Sequence, residues 1–567
     1  MQYERNNKII KSKFWQYFFP TVLSIFASNM AVVVDALIVS ALIGVDALSG
    51  LQIMFPLICF VNLLCWMIGL GGSLICASAK ARFDEDEANK IFTISVISIL
   101  IIGVIITVIG LMFPENIIRF ISNSVHLNTY ALDYFKMYIL GVPFFCFMFC
   151  MFYFVGTDGM PKFTSTALII ASIIDPVFDI ILIYFFHMGM AGSGLATAMS
   201  FMGGSLYIAT YFFKSNRTLK IVKVKLLSNI KDFFNICKSG FGGASTQIYL
   251  TITGLVYNGI IISLMGTDGL IAQQICTNTL LIISILFIGL VQTASPIVSV
   301  YHQDKDYTAI EYLKKISIRF LLVVSIFFTV LLVFFPNLII ILYSVKAQYV
   351  DIVTNALRLY GLYYLTLGFV FFYIFYTQAI QKNKIANIVS LFFNLILVIM
   401  MLIILPQIIG SNAVWITPGC VGAITMIGII IYSKYLTKKT NGEYHGIYMN
   451  KTPKDNVLEY TIDANSDEIN GLISLIKNKL NNDELSECAC LSLEEFLKNI
   501  IETNDKLDTI DLLLEVNKES IKMYIKDLGI ERSADFTFKN ETEFNREIDY
   551  TRVLALNSNL ITIKIND

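Results

Sequence analysis

Residues 91–113 read IFTISVISILIIGVIITVIGLMF, an apolar run that carries no charged side chain. The hydrocarbon core of a bilayer is about 30 Å thick, and an α-helix needs about 20 apolar residues to cross it. The whole chain has 567 residues, and 56% of them are hydrophobic, more than the roughly 45–50% that is typical of soluble domains. The run therefore predicts a transmembrane helix, and the composition predicts a protein with many of them.

Apolar runs of similar length recur along the first three quarters of the chain. We predict spans at residues 14–43, 51–79, 91–113, 129–155, 163–186, 190–213, 240–264, 272–299, 317–343, 353–380, 385–405 and 412–435. The fold class is therefore an all-α polytopic membrane protein with twelve transmembrane helices, followed by a small soluble domain of helices and strands. Because the number of spans is even, both termini should lie on the same side of the membrane.

Lysine and arginine decide which side that is. They gather before the first span (Arg5, Lys8, Lys11, Lys13) and in the central connection, residues 214–231. Positively charged loops stay in the cytoplasm, so we place both termini there and the protein in the cytoplasmic (inner) membrane. The polar, basic start of the chain predicts no cleavable signal peptide. Most of the ten cysteines lie in apolar runs without neighbouring ligands, so we predict neither a metal site nor a disulfide.

The two halves of the apolar region resemble each other at a spacing of 220–222 residues. The matching pairs are 43–46 with 265–268, Gln52 with Gln274, 68–70 with 288–290, Asp84 and Asp86 with Asp304 and Asp306, 140–141 with 360–361, and Thr157 with Thr377. Six spans per half give a parallel repeat, with a substrate path between two lobes that rock against each other. We predict an N-lobe over residues 1–225 and a C-lobe over residues 226–440.

The remainder of the chain, residues 441–567, differs in charge and pattern. It carries about 14 Lys and Arg against 25 Asp and Glu, whereas residues 1–440 carry about 28 against 18. The pattern predicts strands at 458–462, 509–516, 520–526 and 559–565, with helices at 466–480 and 485–503. This is a cytoplasmic α/β domain.

Three carboxyl groups lie deep within predicted spans. Asp35 is in the first span, and Asp175 and Asp179 are one helical turn apart in the fifth. An ionisable group in a bilayer costs at least ~2.5–3.5 kcal/mol, so it is expected to have a function. Two neighbouring carboxylates repel each other, which favours a bound proton or cation. The alternative is that each is a neutral packing residue, hydrogen-bonded to a group such as Ser172 or Thr197.

A series of short motifs follows in order along the apolar region: Phe19-Pro20, Val34-Asp35, Gly44-Val45-Asp46-Ala47-Leu48, Gly69-Leu70-Gly71-Gly72-Ser73, and Asp179 followed by Gly189-Met190-Ala191-Gly192-Ser193-Gly194-Leu195-Ala196-Thr197. In their order and spacing these motifs resemble the multidrug and toxic compound extrusion (MATE) family. The resemblance covers residues 14–435. It implies export of amphipathic, often cationic compounds in exchange for H⁺ or Na⁺.

The resemblance also implies where the coupling ion binds. In several prokaryotic members it binds an Asp of the first helix and an Asp of the fifth, which match Asp35 and Asp179, and a Thr of the sixth matches Thr197. Asp175 stands where the family has Asn, and Ala31 where some members have Tyr. Pro20 could let the first helix bend when Asp35 changes charge, or it could be a fixed kink.

Two runs of the C-terminal domain form a further motif: residues 493–500, which read LEEFLKNI, and Asp527-Leu528-Gly529. They resemble the GHKL ATP-binding fold of anti-sigma-factor kinases, and the resemblance implies nucleotide contacts at Glu495, Asn499, Asp527 and Gly529. Thr503 replaces the usual His, and no glycine-rich lid follows Gly529. Such lids cradle phosphates with backbone N–H groups. We therefore expect a degenerate domain that could bind ATP but does not hydrolyse it, or a regulatory domain without a ligand.

These observations favour a secondary antiporter that is not an enzyme and requires no cofactor besides the coupling ion. Its expected partners are an amphipathic small molecule, membrane lipid and a cytoplasmic regulatory protein for the C-terminal domain, with no nucleic acid, and we expect a monomer. One alternative is a flippase for a lipid-linked or polysaccharide precursor, although the spans lack the deep Arg or Lys that phosphates would favour. Another is a membrane sensor coupled to its C-terminal domain.

Overall fold

The computed structural model describes most of the chain. The described residues are 5–81, 84–122, 128–158, 160–214, 217–224, 229–303, 305–441, 444–448, 450–451, 456–480, 484–502, 509–517, 520–527, 538, 548–555 and 558–566.

Sixteen helices form the part of the chain that precedes the C-terminal domain, as far as it is described. They are α1 (Lys8–Leu42), α2 (Leu48–Cys65), α3 (Gly71–Ala81), α4 (Glu85–Met112), α5 (Pro114–Ser122), α6 (Thr129–Thr157), α7 (Pro161–Asp179), α8 (Gly189–Ala209), α9 (Ile230–Gln303), α10 (Tyr307–Phe334), α11 (Asn337–Leu342), α12 (Ala347–Gly361), α13 (Tyr364–Ala379), α14 (Asn383–Leu391), α15 (Leu397–Ile409) and α16 (Ala413–Lys439). Turns of π-helix occupy Trp66–Leu70, Ile180–Phe185 and Phe392–Ile396.

The helices are long and apolar enough for a multi-pass membrane protein. Within the described residues, seven helical stretches could cross a membrane, and the bent pair α12 and α13 would make an eighth. Two of the seven, Ala244–His302 and Asn383–Lys439, contain 59 and 57 residues, well over twice the roughly 20 that one crossing needs. The chain is therefore a mainly helical membrane protein, and the number of twelve spans stays a prediction.

Two predicted spans have different boundaries in the structure. The ninth, predicted at 317–343, is α10 at Tyr307–Phe334, and Pro336 separates α10 from the short α11. Proline lacks the N–H that would continue the helix and fixes its own φ, so the helix ends before it. The tenth is not straight, because α12 and α13 meet at an angle of 45°.

The internal repeat is visible in the backbone at a spacing of 222 residues. Gly44 and Gly266 both have positive φ angles, 124° and 64°, a region that favours glycine. Gly266 is the point at which α9 divides into two helices. Asp84 and Asp306 cap α4 and α10, which both contain 28 residues. The structural partner of Asp306 is therefore Asp84, and the sequence pairing with Asp86 was wrong.

The C-terminal domain is a sheet covered by helices on one face. Its elements are β1 (Tyr444–His445), β2 (Asn450–Lys451), β3 (Val457–Asp463), α17 (Ser466–Lys479), α18 (Glu484–Glu502), β4 (Thr509–Val516), β5 (Ser520–Asp527), β6 (Ile548–Ala555) and β7 (Ser558–Asn566). The five-stranded sheet has the order β3-β4-β5-β7-β6 and is antiparallel throughout. The domain contains both helices and strands, as predicted, but its sheet is antiparallel, so its class is α+β and not α/β. The sequence pattern did not predict β6.

Candidate ion and substrate sites

Packing of α1 against α7 and α8 brings two of the predicted carboxyl groups together. Asp35 is on α1, and Asp179 is the last residue of α7, directly before a π-helical turn. The two carboxyl groups are in contact. The hydroxyl of Ser193, on α8, donates a hydrogen bond of 3.2 Å to Oδ1 of Asp35. Asp35 is 9% exposed and Asp179 is fully buried, so the pair forms a polar site inside the helical bundle.

The other predicted residues of this site lie on its side towards α6. Asp175, one turn before Asp179, lies beside Thr197 and Ser200 of α8. The Thr197 hydroxyl donates to the carbonyl oxygen of Ser193 (3.2 Å) and is 3.3 Å from the Tyr134 hydroxyl. The structure therefore places Asp35, Asp175, Asp179 and Thr197 in one neighbourhood.

Some carboxylate oxygens of the site are buried without a hydrogen-bond donor. Neither oxygen of Asp179, nor Oδ1 of Asp175, has a well-formed partner among the described residues. A buried, unpaired carboxylate is costly, and two facing carboxylates repel each other. A proton or a small cation would relieve both penalties. Across the described residues, however, no group of three or more Asp, Glu, His or Cys side chains converges as a metal site.

The remaining predicted residues lie elsewhere. Pro20 is inside α1, about four turns before Asp35. Glu495 and Asn499 are one turn apart on α18, and Asp527 is buried at the end of β5. Gly529 and Thr503 lie outside the described residues. The nucleotide site therefore stays a prediction.

A cavity of about 160 Å³ lies where α2 of the first half meets helices of the second half. Among the described residues that line it there is no Lys, Arg, Asp or Glu. They are polar, aromatic or aliphatic: Gln52, Phe55, Leu250, Thr253, Gly254, Tyr257, Gln273, Thr277, Leu280, Tyr360, Tyr363, Phe393, Asn394, Val398, Pro418 and Val421. Such a surface suits a flat organic molecule, with rings to stack on and amides to orient it.

Polar contacts join the two halves beside this cavity and at one end of α1. Gln52 donates to Oδ1 of Asn258 at 3.1 Å, and the Asn258 amide donates to the Gln52 carbonyl oxygen at 3.1 Å. Asp46, just after α1, pairs with Lys346 and accepts a 2.6 Å hydrogen bond from Tyr349. Polar contacts therefore join the two halves both within the bundle and at the carboxyl-terminal end of α1.

Sequence analysis missed several residues of both sites. Tyr134 and Ser193 support the carboxyl groups, yet neither residue type stands out in an apolar helix. The cavity aromatics Tyr257, Tyr360 and Tyr363 come from segments separated by about 100 residues. A periodic pattern in sequence cannot show that such segments meet.

The family comparison covers more than half of the chain. The MatE family model matches residues 20–181 and 244–404. The chain is 23% identical to the multidrug export protein MepA of Staphylococcus haemolyticus over 65% of this chain and 81% of that protein. It is 20% identical to the MepA protein of Staphylococcus saprophyticus over 62% of this chain and 77% of that protein.

Solved structures share the fold. An inward-facing multidrug resistance MATE family transporter of the MOP superfamily has a TM-score of 0.65 and 18% identity, over 73% of this chain and 95% of its own. The MATE multidrug transporter DinF-BH has a TM-score of 0.60 and 20% identity, over 79% and 99% of the two chains. With the family model matching both halves of the helical region, this protein belongs to the MatE family of membrane transporters.

Proposed function

We propose that this protein is a secondary antiporter that exports amphipathic organic compounds, cations among them, in exchange for H⁺ or Na⁺. The observation that carries the proposal is the buried contact between Asp35 and Asp179. Both oxygens of Asp179 lack a well-formed partner among the described residues. A proton or cation bound there neutralises charge that is otherwise expensive inside the bundle.

The cavity between the halves supports an organic substrate. Its aromatic rings offer faces to a flat or cationic molecule, and Gln273 and Asn394 offer amide groups. Relatives of this chain are named multidrug export proteins, which fits the same substrate class. The absence of Lys and Arg from the lining counts against the alternative of a flippase for phosphate-bearing precursors, since phosphates favour such side chains.

Exchange follows if ion and substrate favour opposite conformations. A ligand shifts an equilibrium only by its differential affinity for two states. Asp35 lies on α1, which also packs against α9 of the second half. Neutralising Asp35 changes the electrostatic forces between its side chain and the polar groups of α7 and α8. A resulting shift of α1 would alter its contacts with the second half, and α1 can bend at Pro20.

The first test is efflux from proteoliposomes. A fluorescent organic cation should leave the vesicles faster when a gradient of H⁺ or of Na⁺ is imposed in the exchange direction, and collapse of that gradient by an ionophore should stop it. Applying the two gradients separately identifies the ion. Equal efflux with and without either gradient would contradict antiport.

We further propose that both termini face the cytoplasm and that the protein lies in the cytoplasmic (inner) membrane as a monomer. The support for this orientation is the distribution of Lys and Arg along the connections between helices. A reporter fused after the last residue should then be active in the cytoplasm.

For the C-terminal domain we propose a degenerate GHKL-like fold without ATPase activity. Its support is a five-stranded antiparallel sheet with two helices on one face, with Glu495 and Asn499 on α18. The purified full-length protein should show no ATP turnover above that of Asp527→Ala, and Asn499→Ala should transport as well as the wild type. Hydrolysis that disappears in Asp527→Ala would instead support the membrane sensor with an enzymatic domain.

A further inference from the structure

The C-terminal sheet has a polar face that is not covered by its own helices. In β4, Ile510, Leu512 and Leu514 belong to the domain's hydrophobic core. Their neighbours Asp511 and Glu515 point to the opposite face, because side chains alternate along a strand. Both are nevertheless buried, at 1% and 5% exposed. Something other than α17 and α18 must therefore cover that face.

The covering surface is the end of the helical region. Asp306, the residue that caps α10, lies at the centre of a buried ionic cluster. Its Oδ2 is 2.9 Å from Nζ of Lys526 on β5 and 2.7 Å from the guanidinium of Arg5, which precedes α1. The same guanidinium is 3.2 Å from Asp511 on β4. These four side chains are at most 5% exposed.

Further contacts extend the interface beyond the cluster. Nζ of Lys526 lies 3.9 Å from the centre of the Tyr301 ring, on α9. Lys305 pairs with Glu515 at 2.8 Å, and Thr308 donates to Glu459 of β3 at 2.8 Å. The backbone N–H of Asn6 donates to the Thr461 hydroxyl at 3.2 Å. The docking site thus combines the amino end of α1, in the first half, with the turn between α9 and α10, in the second half.

The same side of the molecule carries a close seam between the two halves. A Cβ atom added to Gly240 of α9 would lie 2.0 Å from the backbone carbonyl oxygen of Met67. A Cβ atom added to Gly71 would lie 2.2 Å from the backbone carbonyl oxygen of Ile236. The backbones are in contact there. Opening the cavity to this side requires this seam to separate, which moves the two parts of the docking site relative to each other.

We propose that the C-terminal domain is a strap that holds the two halves together at the side where it docks, so that the cavity opens to that side when the domain detaches. Its effect on transport rests on the proposed antiport, but its effect on the seam does not. A reversible strap suits this chemistry: desolvation of buried ions offsets most of their mutual attraction, so such pairs fix a position without making a contact permanent.

The central carboxylate of the cluster, that of Asp306, is ionised at neutral pH. Burial alone would raise the pKa of Asp306, but the neighbouring charges of Lys526 and Arg5 lower it to about 2. Because docking lowers the pKa of Asp306, its ionised carboxylate stabilises the docked state at pH values above the ordinary pKa of Asp. This stabilisation is lost as the pH falls through about 2. Acidity within the physiological range therefore leaves the Asp306 carboxylate ionised.

The native thiol of Cys237 reports on the seam. It is half-buried on α9, between the seam residues Ile236 and Gly240, while Cys420 on α16 is also half-buried and serves as an internal reference. In the full-length protein, Lys526→Met and Glu515→Lys should each speed maleimide labelling of Cys237 at least about threefold relative to Cys420. Lys526→Met removes one of the two cations that bind the buried Asp306 carboxylate, and Glu515→Lys places a buried ammonium next to that of Lys305. Peptide mapping by mass spectrometry measures both thiols, and amide hydrogen exchange over residues 301–309 reports undocking.

The controls separate docking from folding. Lys498→Met removes an exposed lysine from α18, on the helical side of the domain, and should change neither labelling nor exchange. Adding Lys305→Glu to Glu515→Lys restores the pair in reverse and should return labelling to the wild-type rate. Faster exchange at 301–309 without faster labelling of Cys237 would overturn the strap. If labelling rises while no variant, wild type included, transports any probe, the antiport proposal fails and the strap stands.

Discussion

Asp35→Asn is expected to slow ion-driven efflux about 100-fold, towards the upper end of ordinary coupling between two ligands, while substrate binding persists. An amide has nearly the size of a protonated carboxyl group but can neither release a proton nor neutralise a sodium ion. Asp179→Asn should have the same effect, because its carboxyl group faces that of Asp35. Efflux in proteoliposomes under separate H⁺ and Na⁺ gradients, together with substrate affinity measured by fluorescence, tests both variants.

Two matched variants define the specificity of this effect. Asp175→Asn restores the residue usual in the family and should cause a smaller loss. Asp133→Asn changes an exposed carboxyl on α6, so it should transport as the wild type does. Efflux at the wild-type rate by Asp35→Asn, under either gradient, would remove this carboxyl group from the mechanism.

The second large effect is expected in the cavity. Thr253→Trp places an indole where the lining is polar and the volume is about 160 Å³. A ligand that uses this space should bind at least about tenfold more weakly, since steric overlap in a packed site typically costs 1–3 kcal/mol. Binding titrations with the fluorescent cation, and the concentration dependence of its efflux, measure the change.

Thr251→Trp is the control for that substitution. Thr251 is on the same helix, and its hydroxyl likewise bonds to a carbonyl of the preceding turn, but it does not line the cavity. Comparable weakening in both variants would show that the added indole disturbs α9 and not the ligand space. Size-exclusion chromatography and thermal unfolding establish that each variant is folded.

The sequence predicted the parts of the fold that depend on local pattern. Apolar runs identified the helices because the bilayer imposes their length and polarity. The carboxyl groups of Asp35 and Asp179 were predicted to share a site, through family resemblance and the cost of charge in a membrane, and the structure brings them into contact. Their role as the coupling site stays a prediction.

Features that depend on which surfaces meet were not predictable. The aromatic lining of the cavity comes from distant helices, and the 45° bend between α12 and α13 has no proline at the break. Docking of the C-terminal domain was also missed. The alternation in β4 shows that Asp511 and Leu512 face opposite ways, but not that the acidic side meets Arg5 and Lys526. The only indication of this docking in the sequence was the opposite net charge of residues 1–440 and residues 441–567.

Asp84 and Asp306 occupy equivalent positions in the two halves but differ in what they bind. Both carboxylates accept a backbone hydrogen bond at a helix start, from Glu87 and Ala309 respectively, and that task alone favours Asp there. Asp306 also binds two cations of the interface, whereas Asp84 serves as a cap without an ion pair among the described contacts. The carboxylate that caps α10 is therefore also the central anion of the interface, so that one side chain serves both the start of a helix and the docking of the C-terminal domain.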